Sequence, residues 1–573
     1  MKKKHRNPFI SRLLAMCLAA VMMLSMGITA SAEITSSKTG SFNVSGFDTA
    51  PATPTVTAYQ IIKVNIDDDA KEPEYPMYTW AESVANWLEN DETYKDYIDT
   101  SLGTDAVANA FADGEVQAAN MTKFLEELAA AIKNNSINGL TSITGTVTDG
   151  TASFANAPLG EYLIIASGGV KIYKPTTVKL VPEYDSDNKT WNVGTPVVGE
   201  GANGSAAVKS SEPKIDKSVS KINGTESEER TVAVGDKVTF KLEADVPDYP
   251  EDTTKKTFII SDAVGTGLAY QNGTVKVYID DSLNTELGET YYAVKTNCSV
   301  PDQSGQTRTF AIEFNDTFFD NYSAYPKVYV TYDAKVTSDA FTNAPSGVMH
   351  NDAYLGYNND PYVSTGYTEG EDRETVYTYA INLMKVTTGG EAITTDKATF
   401  ELKSGNNALY FTGSDGVYTY NFSNTQNTQG ATKDLTTSSA GTLKIQGLDT
   451  GTYTLIETEA PDGYVLPNGS IEIEINDANE SGGPDGTIDK EKGGNVVASG
   501  GAEIYVAQGD QNAGVTISYT TISFKVVNKT ADQGAFTLPV TGGAGTVIFT
   551  MAGILLMGGA VALLVVVLRR KRS

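Results

Sequence analysis

Val238-Thr239-Phe240-Lys241-Leu242-Glu243-Ala244-Asp245-Val246 alternates apolar and polar side chains without a break. Successive side chains of a strand point to opposite faces. The run therefore predicts a strand with Val238, Phe240, Leu242, Ala244 and Val246 on a core and the polar partners in water. Working outward, Val275, Val277 and Ile279 alternate in the same way, and so do Val328, Val330, Tyr332, Ala334 and Val336. Short period-2 runs punctuated by Gly, Pro and Asn mark a half-buried antiparallel sheet, and an immunoglobulin-like sandwich is the expected packing for residues 206–378.

The flanking regions extend that reading. Residues 379–534 form a further β region, with strands expected at Thr399–Lys403, Thr442–Ile445, Tyr453–Glu457, Ile471–Ile475 and Val515–Val527. Within it, Asn476–Gly501 is rich in Gly, Asp and Asn and reads as a long mobile loop. Residues 33–205 are mixed. Strands are expected at Ser41–Gly46, Thr55–Asn65, Ala157–Ile165 and Thr177–Val181, and helices from Trp80 to Leu102 and from Val116 to Lys133. Met121, Phe124, Leu125, Leu128 and Ile132 follow helical spacing. This region reads as a β-sandwich with helical insertions. Gly199–Ser211, small and polar, reads as a linker. The fold class is thus mainly β, in tandem immunoglobulin-like sandwiches.

Both ends carry targeting signals. Lys2, Lys3, Lys4 and Arg6 precede an apolar run from Leu13 to Met26 and a small-residue site, Ala30-Ser31-Ala32. Residues 1–32 are therefore read as a secretory signal peptide. Residues 535–573 contain Leu538-Pro539-Val540-Thr541-Gly542, an apolar run from Val547 to Leu568, and Arg569-Arg570-Lys571-Arg572. The run is long enough for a transmembrane helix, and the basic tip keeps its end cytoplasmic.

Composition narrows the function. The formal net charge is −28, and both processed ends carry only basic residues, so the mature span is more acidic still. That argues against nucleic acid or anionic lipid as a partner. Cys17 lies in the signal, which leaves Cys298 and no intrachain disulfide. His350 is the one histidine to survive processing, so triads and multi-His metal sites have little to work with. No cofactor or metal is expected, and an extracellular enzyme is poorly supported.

Glu457 stands out. Alternation along Tyr453, Leu455 and Glu457 puts this carboxylate on the core face, where it is costly unless paired or protonated. The plainer alternative is an edge position in water. The stretch Tyr453-Thr454-Leu455-Ile456-Glu457-Thr458-Glu459-Ala460-Pro461-Asp462-Gly463-Tyr464 resembles the "E-box" of Gram-positive pilins and collagen-adhesin B-type domains. Lys385, in Ile381–Val386, and Asn528, closing Phe524–Asn528, match the family's lysine and asparagine. The resemblance implies a Lys385–Asn528 isopeptide bond with Glu457 as proton shuttle. Burial would leave the amine and the acid neutral together. The alternative is an ordinary buried Lys385–Glu457 salt bridge.

The middle region looks like the isopeptide-forming "D2" pilin sandwich, on Pro213–Val219, Phe258–Asp262 and His350–Tyr357. The resemblance implies a Lys217–Asn351 bond with Asp262 as shuttle, although Lys214 and Lys221 lie close by. In the first region Glu161, in Leu159-Gly160-Glu161-Tyr162, resembles the E-box only loosely, and no bond is expected there. The Leu538–Gly542 motif with its span and basic tip resembles the sortase signal of Gram-positive surface proteins, cut between Thr541 and Gly542. The alternative is a simple tail anchor.

In that family a lysine near the end of the first domain accepts the Thr carboxyl of the next subunit. Lys209 holds the matching place without the usual Tyr-Pro. Tyr325-Pro326-Lys327 has those residues but opens a strand inside the second domain, so it is read as a decoy. The whole chain is thus identified with backbone (major) subunits of sortase-assembled pili. Such a subunit is secreted, wall-anchored and structural, and is not an enzyme beyond its own cross-linking. The resemblance implies sortase, identical subunits, ancillary pilins, peptidoglycan and surface ligands of host or neighbouring cells as partners. The alternative is a wall-anchored ancillary pilin or adhesin that does not polymerise.

Overall fold

The computed structural model describes residues 33–108, 111, 118–199, 207–250, 252–301, 306–343, 345–421, 430–477, 483–490 and 494–531. The signal peptide, Leu538–Gly542, the Val547–Leu568 run and the basic tip lie outside the described residues. Among the described residues no helix is long and apolar enough to cross a membrane.

In the first domain the strand Gly160–Ser167 is buried along nearly its whole length. Its Tyr162-Leu163-Ile164-Ile165 run does not alternate because both of its faces are covered. It sits in a six-stranded sheet beside Thr55–Asp67 and Thr176–Leu180. One face packs Tyr162 and Ile164 against Phe42, Val44 and Phe154 of a three-stranded sheet. The other packs Leu163 and Ile165 with Trp80, which ends the sheet strand Glu72–Trp80, under Phe124 and Leu128 of the helical layer.

The helix Ala118–Lys133 stands close to its expected place. The other helix is far shorter than Trp80–Leu102, running only Glu82–Glu89. Asp91 ends it, because its carboxylate accepts the Thr93 and Tyr94 amides at 2.7 and 3.3 Å and turns the chain. Residues 200–206 of the expected linker lie outside the described residues, but its end differs from expectation. Val208 is buried, its amide donates to Ser45 O at 3.0 Å, and Ser210–Ser211 pairs with Ile172–Tyr173. This stretch is a docked strand on the first domain.

The second domain is a sandwich of two antiparallel sheets. One is centred on Lys237–Asp245 and Lys327–Val336, the other on Phe258–Val264 and Val348–Tyr357. The alternation in Val238–Val246 places its apolar members in the core, as its periodicity requires. In the third domain Tyr379–Val386 lies between Thr442–Leu448, antiparallel, and Thr521–Val527, parallel. Gly451–Glu459 runs in the facing sheet beside Thr399–Ser404 and Ser470–Ile475.

The described part of Asn476–Gly501 is not a loose loop. Ile488 is buried, and Val496–Ser499 is a strand. Buried Asp477 organises the turn by accepting the Asp485 and Gly486 amides and the Tyr379 hydroxyl, at 2.8–3.0 Å.

The domains interlock. Tyr362 of the second domain enters the helical core of the first. Tyr357 Oη donates to Val170 O and Asn359 Nδ2 to Gly169 O, both at 2.6 Å. At the other junction, Val234 N donates to Gly447 O at 2.9 Å and Thr520 Oγ1 to Ser346 O at 2.5 Å.

Candidate functional site

Among the described residues two lysines are buried in sandwich cores, one in the second domain and one in the third. In the second domain the strand Ile215–Ile222 turns Ile215, Lys217 and Val219 inward, while Lys214 is exposed and Lys221 half-buried. Alternation excludes Lys214, whereas Lys221 shares the parity of Lys217 and is turned from the core by the register shift between Val219 and Lys221. Lys217 Nζ lies 2.5 Å from Asp262 Oδ2, and both side chains are 0% exposed. The amine is also 5.1 Å from the Phe240 ring centre. Tyr332 Oη lies 2.8 Å from Lys217 Nζ and donates to Asp262 Oδ2 at 2.9 Å. Asn351, fully buried on Val348–Tyr357, donates from Nδ2 to the same Tyr332 oxygen at 2.7 Å. Lys217, Asp262 and Asn351 therefore meet around one hydroxyl.

In the third domain Lys385 and Glu457 are buried together, with Nζ 2.7 Å from Oε2. Alternation brings Glu457 inward after Tyr453 and Leu455. Asn528 follows the parallel strand Thr521–Val527. Its backbone amide donates to Val386 O at 3.0 Å, and its Nδ2 donates to Val465 O at 3.0 Å.

Burial sets the electrostatics of both clusters. Desolvation lowers the Lys217 amine and raises the Asp262 carboxyl, each against the pull of its partner. In the third domain desolvation brings the Lys385 amine down to about 8 and raises Glu457. Both clusters also leave the same two atoms without a hydrogen-bond partner. These are one carboxyl oxygen, Asp262 Oδ1 or Glu457 Oε1, and one amide oxygen, Asn351 Oδ1 or Asn528 Oδ1. A buried acceptor without a donor is costly. Protonating the carboxyl would turn it into a donor, which is the kind of group a bare amide oxygen lacks.

The remaining expected residues fall as follows. Buried Glu161 has Lys179 Nζ 3.8 Å away, its direct neighbour in strand register. No asparagine lines the small cavity beside it, which Ile62, Tyr78, Val107, Phe111, Lys179 and Val181 enclose. Lys209 is exposed just before the docked strand Ser210–Ser211, its carbonyl accepting the Lys174 amide at 2.9 Å. Lys327 is held between Glu243, which it hydrogen-bonds, and Asp245 at 3.5 Å, and these contacts raise its pKa. Tyr332 is the site residue that sequence reasoning missed. Alternation marks it only as one more apolar position of its strand, although a buried phenol needs a partner for its hydroxyl.

Comparison with known proteins bears on both ends of this picture. Residues 381–483 match the SpaA family model, a prealbumin-like fold domain, and residues 531–573 match the LPXTG cell wall anchor motif. The trypsin-resistant surface T6 protein of Streptococcus pyogenes serotype M6 is 24% identical over 366 residues, 61% of this chain. The match spans 62% of that relative's length. The solved T6 backbone pilin of serotype M6 Streptococcus pyogenes, described as modular and three-domain, superposes with a TM-score of 0.51 at 18% identity. The superposition covers 87% of this chain and all of that one.

The chain shares the fold of that solved backbone pilin. It is a cell-wall-anchored surface protein, as the anchor match requires. The full-length major pilin SpaD of Corynebacterium diphtheriae is also similar, at 18% identity and a TM-score of 0.43, over 87% of this chain and 99% of that one.

Proposed function

We propose that this pilin-like chain is a structural subunit of a covalently polymerised pilus shaft. Sortase joins its Thr541 to Lys209 of the next subunit, and Lys217–Asn351 and Lys385–Asn528 isopeptide bonds stiffen it from within. Further partners in this reading are peptidoglycan, ancillary pilins and ligands on host or neighbouring cells. The observation that carries the reading is the recurrence of one cluster in two sandwiches. Each cluster has a buried lysine, a buried acid and a buried asparagine, with the same two oxygens bare.

The chemistry follows from burial. A neutral lysine amine attacks the asparagine Cγ while the neutral acid hydrogen-bonds the amide oxygen. The acid takes a proton from the attacking nitrogen and returns one to the leaving group, and ammonia departs. Folding supplies the proximity, an effective molarity worth about 7–11 kcal/mol of the barrier. The reaction occurs once per bond and turns over no external substrate.

Lys209 suits the acceptor role because it is exposed just before the docked strand Ser210–Ser211, while Lys327 is engaged by two carboxylates. The test is mass spectrometry of the folded protein together with immunoblots of wall digests. The expected result is a deficit of two ammonia masses and a high-mass ladder. Full translated mass refutes the internal bonds. A single band in the digests favours a wall-anchored adhesin that does not polymerise.

A further inference from the structure

Tyr332 touches every reacting group of the second-domain cluster, and the scheme above gives it no task. Its Oη is 2.7 Å from Asn351 Nδ2, 2.8 Å from Lys217 Nζ and 2.9 Å from Asp262 Oδ2. We propose that Tyr332 is a catalytic residue of the Lys217–Asn351 cross-link, its phenol relaying a proton from Asp262 to the nitrogen that leaves as ammonia. This rests on the reading that the Lys217–Asn351 bond forms.

At rest these bonds run opposite to the relay, from Asn351 Nδ2 to the phenol and from the phenol to Asp262, so the relay begins only once attack has turned Nδ2 into a basic amine. A hydroxyl has one proton to give and two lone pairs to receive with. Asn351 Nδ2–H and the Lys217 amine both donate to the phenol oxygen, so its own proton points at Asp262 Oδ2. An amide NH2 leaves readily only once it is protonated. The phenol is the protic group in hydrogen-bond contact with that nitrogen, whereas the recorded hydrogen bonds of Asp262 run to Lys217 and Tyr332.

The step balances. Lys217 Nζ forms its bond to Asn351 Cγ, and the carbonyl electron pair moves to Oδ1, which takes the Asp262 proton. Asp262 Oδ2 takes a proton from the attacking nitrogen. In the collapse Nδ2 is an amine with a free lone pair, so the phenol turns its proton from Asp262 to Nδ2 and takes one from the Asp262 acid in return. The Cγ–Nδ2 bond breaks with its pair on nitrogen, ammonia leaves, and the Oδ1 proton returns to Asp262. Acid and phenol finish as they began.

The third domain is the natural control. There the Asn528 amide donates to the Val465 carbonyl, which has no proton to return, and Glu457 must serve both ends of the reaction alone. The two domains thus use different routes to the same bond, and only one has a hydroxyl to remove.

The full chain made by cell-free synthesis, sampled over time by tandem mass spectrometry, tests this. With Tyr332→Phe, the Lys217–Asn351 peptide should form about 100-fold more slowly or worse, while Lys385–Asn528 forms on schedule. Replacing Tyr332 with a ring-fluorinated tyrosine keeps shape and hydroxyl but makes the phenol more acidic. The second-domain rate and its pH profile should then shift, which a purely structural hydroxyl would not cause. Wild-type rates in both variants overturn the role of Tyr332. If Tyr332→Phe melts below the equally unlinked Lys217→Met, the fluorinated protein alone decides. A wild-type chain that never loses the second-domain ammonia overturns the underlying cross-link instead.

Discussion

Lys385 and Asn528 sit at the same end of two adjacent parallel strands, with Lys385 in register with Val526 and the Asn528 amide bonded to Val386 O. One residue belongs to the domain's opening strand and the other follows its closing one. Parallel pairing is what brings them together, since an antiparallel last strand would carry its end to the opposite edge. A bond between them closes nearly the whole domain into a loop. Losing it through Asn528→Ala should cost about 4–5 kcal/mol, by the loop entropy known for long disulfide-closed loops. Calorimetry of the variant against wild type measures this, and an unchanged melting temperature would count against the bond.

Glu457→Gln separates the two clusters. It removes the acid of the third domain and touches nothing in the second, so the purified variant should lose one ammonia where wild type loses two. Intact-mass measurement reads the difference directly. A deficit of two in the variant would show that the carboxyl is dispensable.

The unlinked Asn528→Ala protein should also acquire a pH dependence that wild type lacks. Burial holds the folded Lys385 amine at about 8 against an ordinary 10.5. Between those values the unfolded chain holds the proton and the folded chain does not. Stability therefore rises with pH across that window, on the order of 1 kcal/mol per pH unit, and is lowest below it. Glu457 acts in the opposite sense at acid pH. Its folded pKa is raised, so its contribution is present below the ordinary carboxylate value and is lost as pH rises through the raised one. Urea midpoints at neutral pH and near pH 10 check the lysine window. The gap between variant and wild type should narrow at the higher pH.

Lys209→Ala should abolish the high-mass ladder of wall digests and leave monomer. Lys327→Ala should not, because Glu243 and Asp245 keep that amine charged and occupied. Immunoblots of the two strains decide between them. A ladder that survives Lys209→Ala moves the acceptor elsewhere.

The sequence carried most of this, and the exceptions have physical reasons. Period-2 alternation placed Val238–Val246 and turned Glu457 inward, because a strand's faces are set by parity alone. Parity also separates Lys217 from Lys214 but not from Lys221, which shares its parity and is set apart by the register shift after Val219. Tyr332 showed the limit of that rule. Parity put it in the core, but its meeting with Lys217, Asp262 and Asn351 depends on four strands from two sheets, which no local pattern records. The helix beyond Trp80 was overextended because a single Asp91 turn outweighs helical composition around it. Asp477 misled in the other direction, since Gly and Asn around a buried carboxylate look like slack and are in fact a tight turn.

The docked strand at Val208–Ser211 has a consequence for how a fibre joined through Lys209 would bear a tow. The line of pull would enter at Lys209, run through the second and third domains, and leave at Thr541 for the following copy. Everything before residue 208 would hang beside that line as a bystander. A module that is never stretched needs no internal staple, which fits a first domain whose buried Glu161 has Lys179 as its neighbour in strand register.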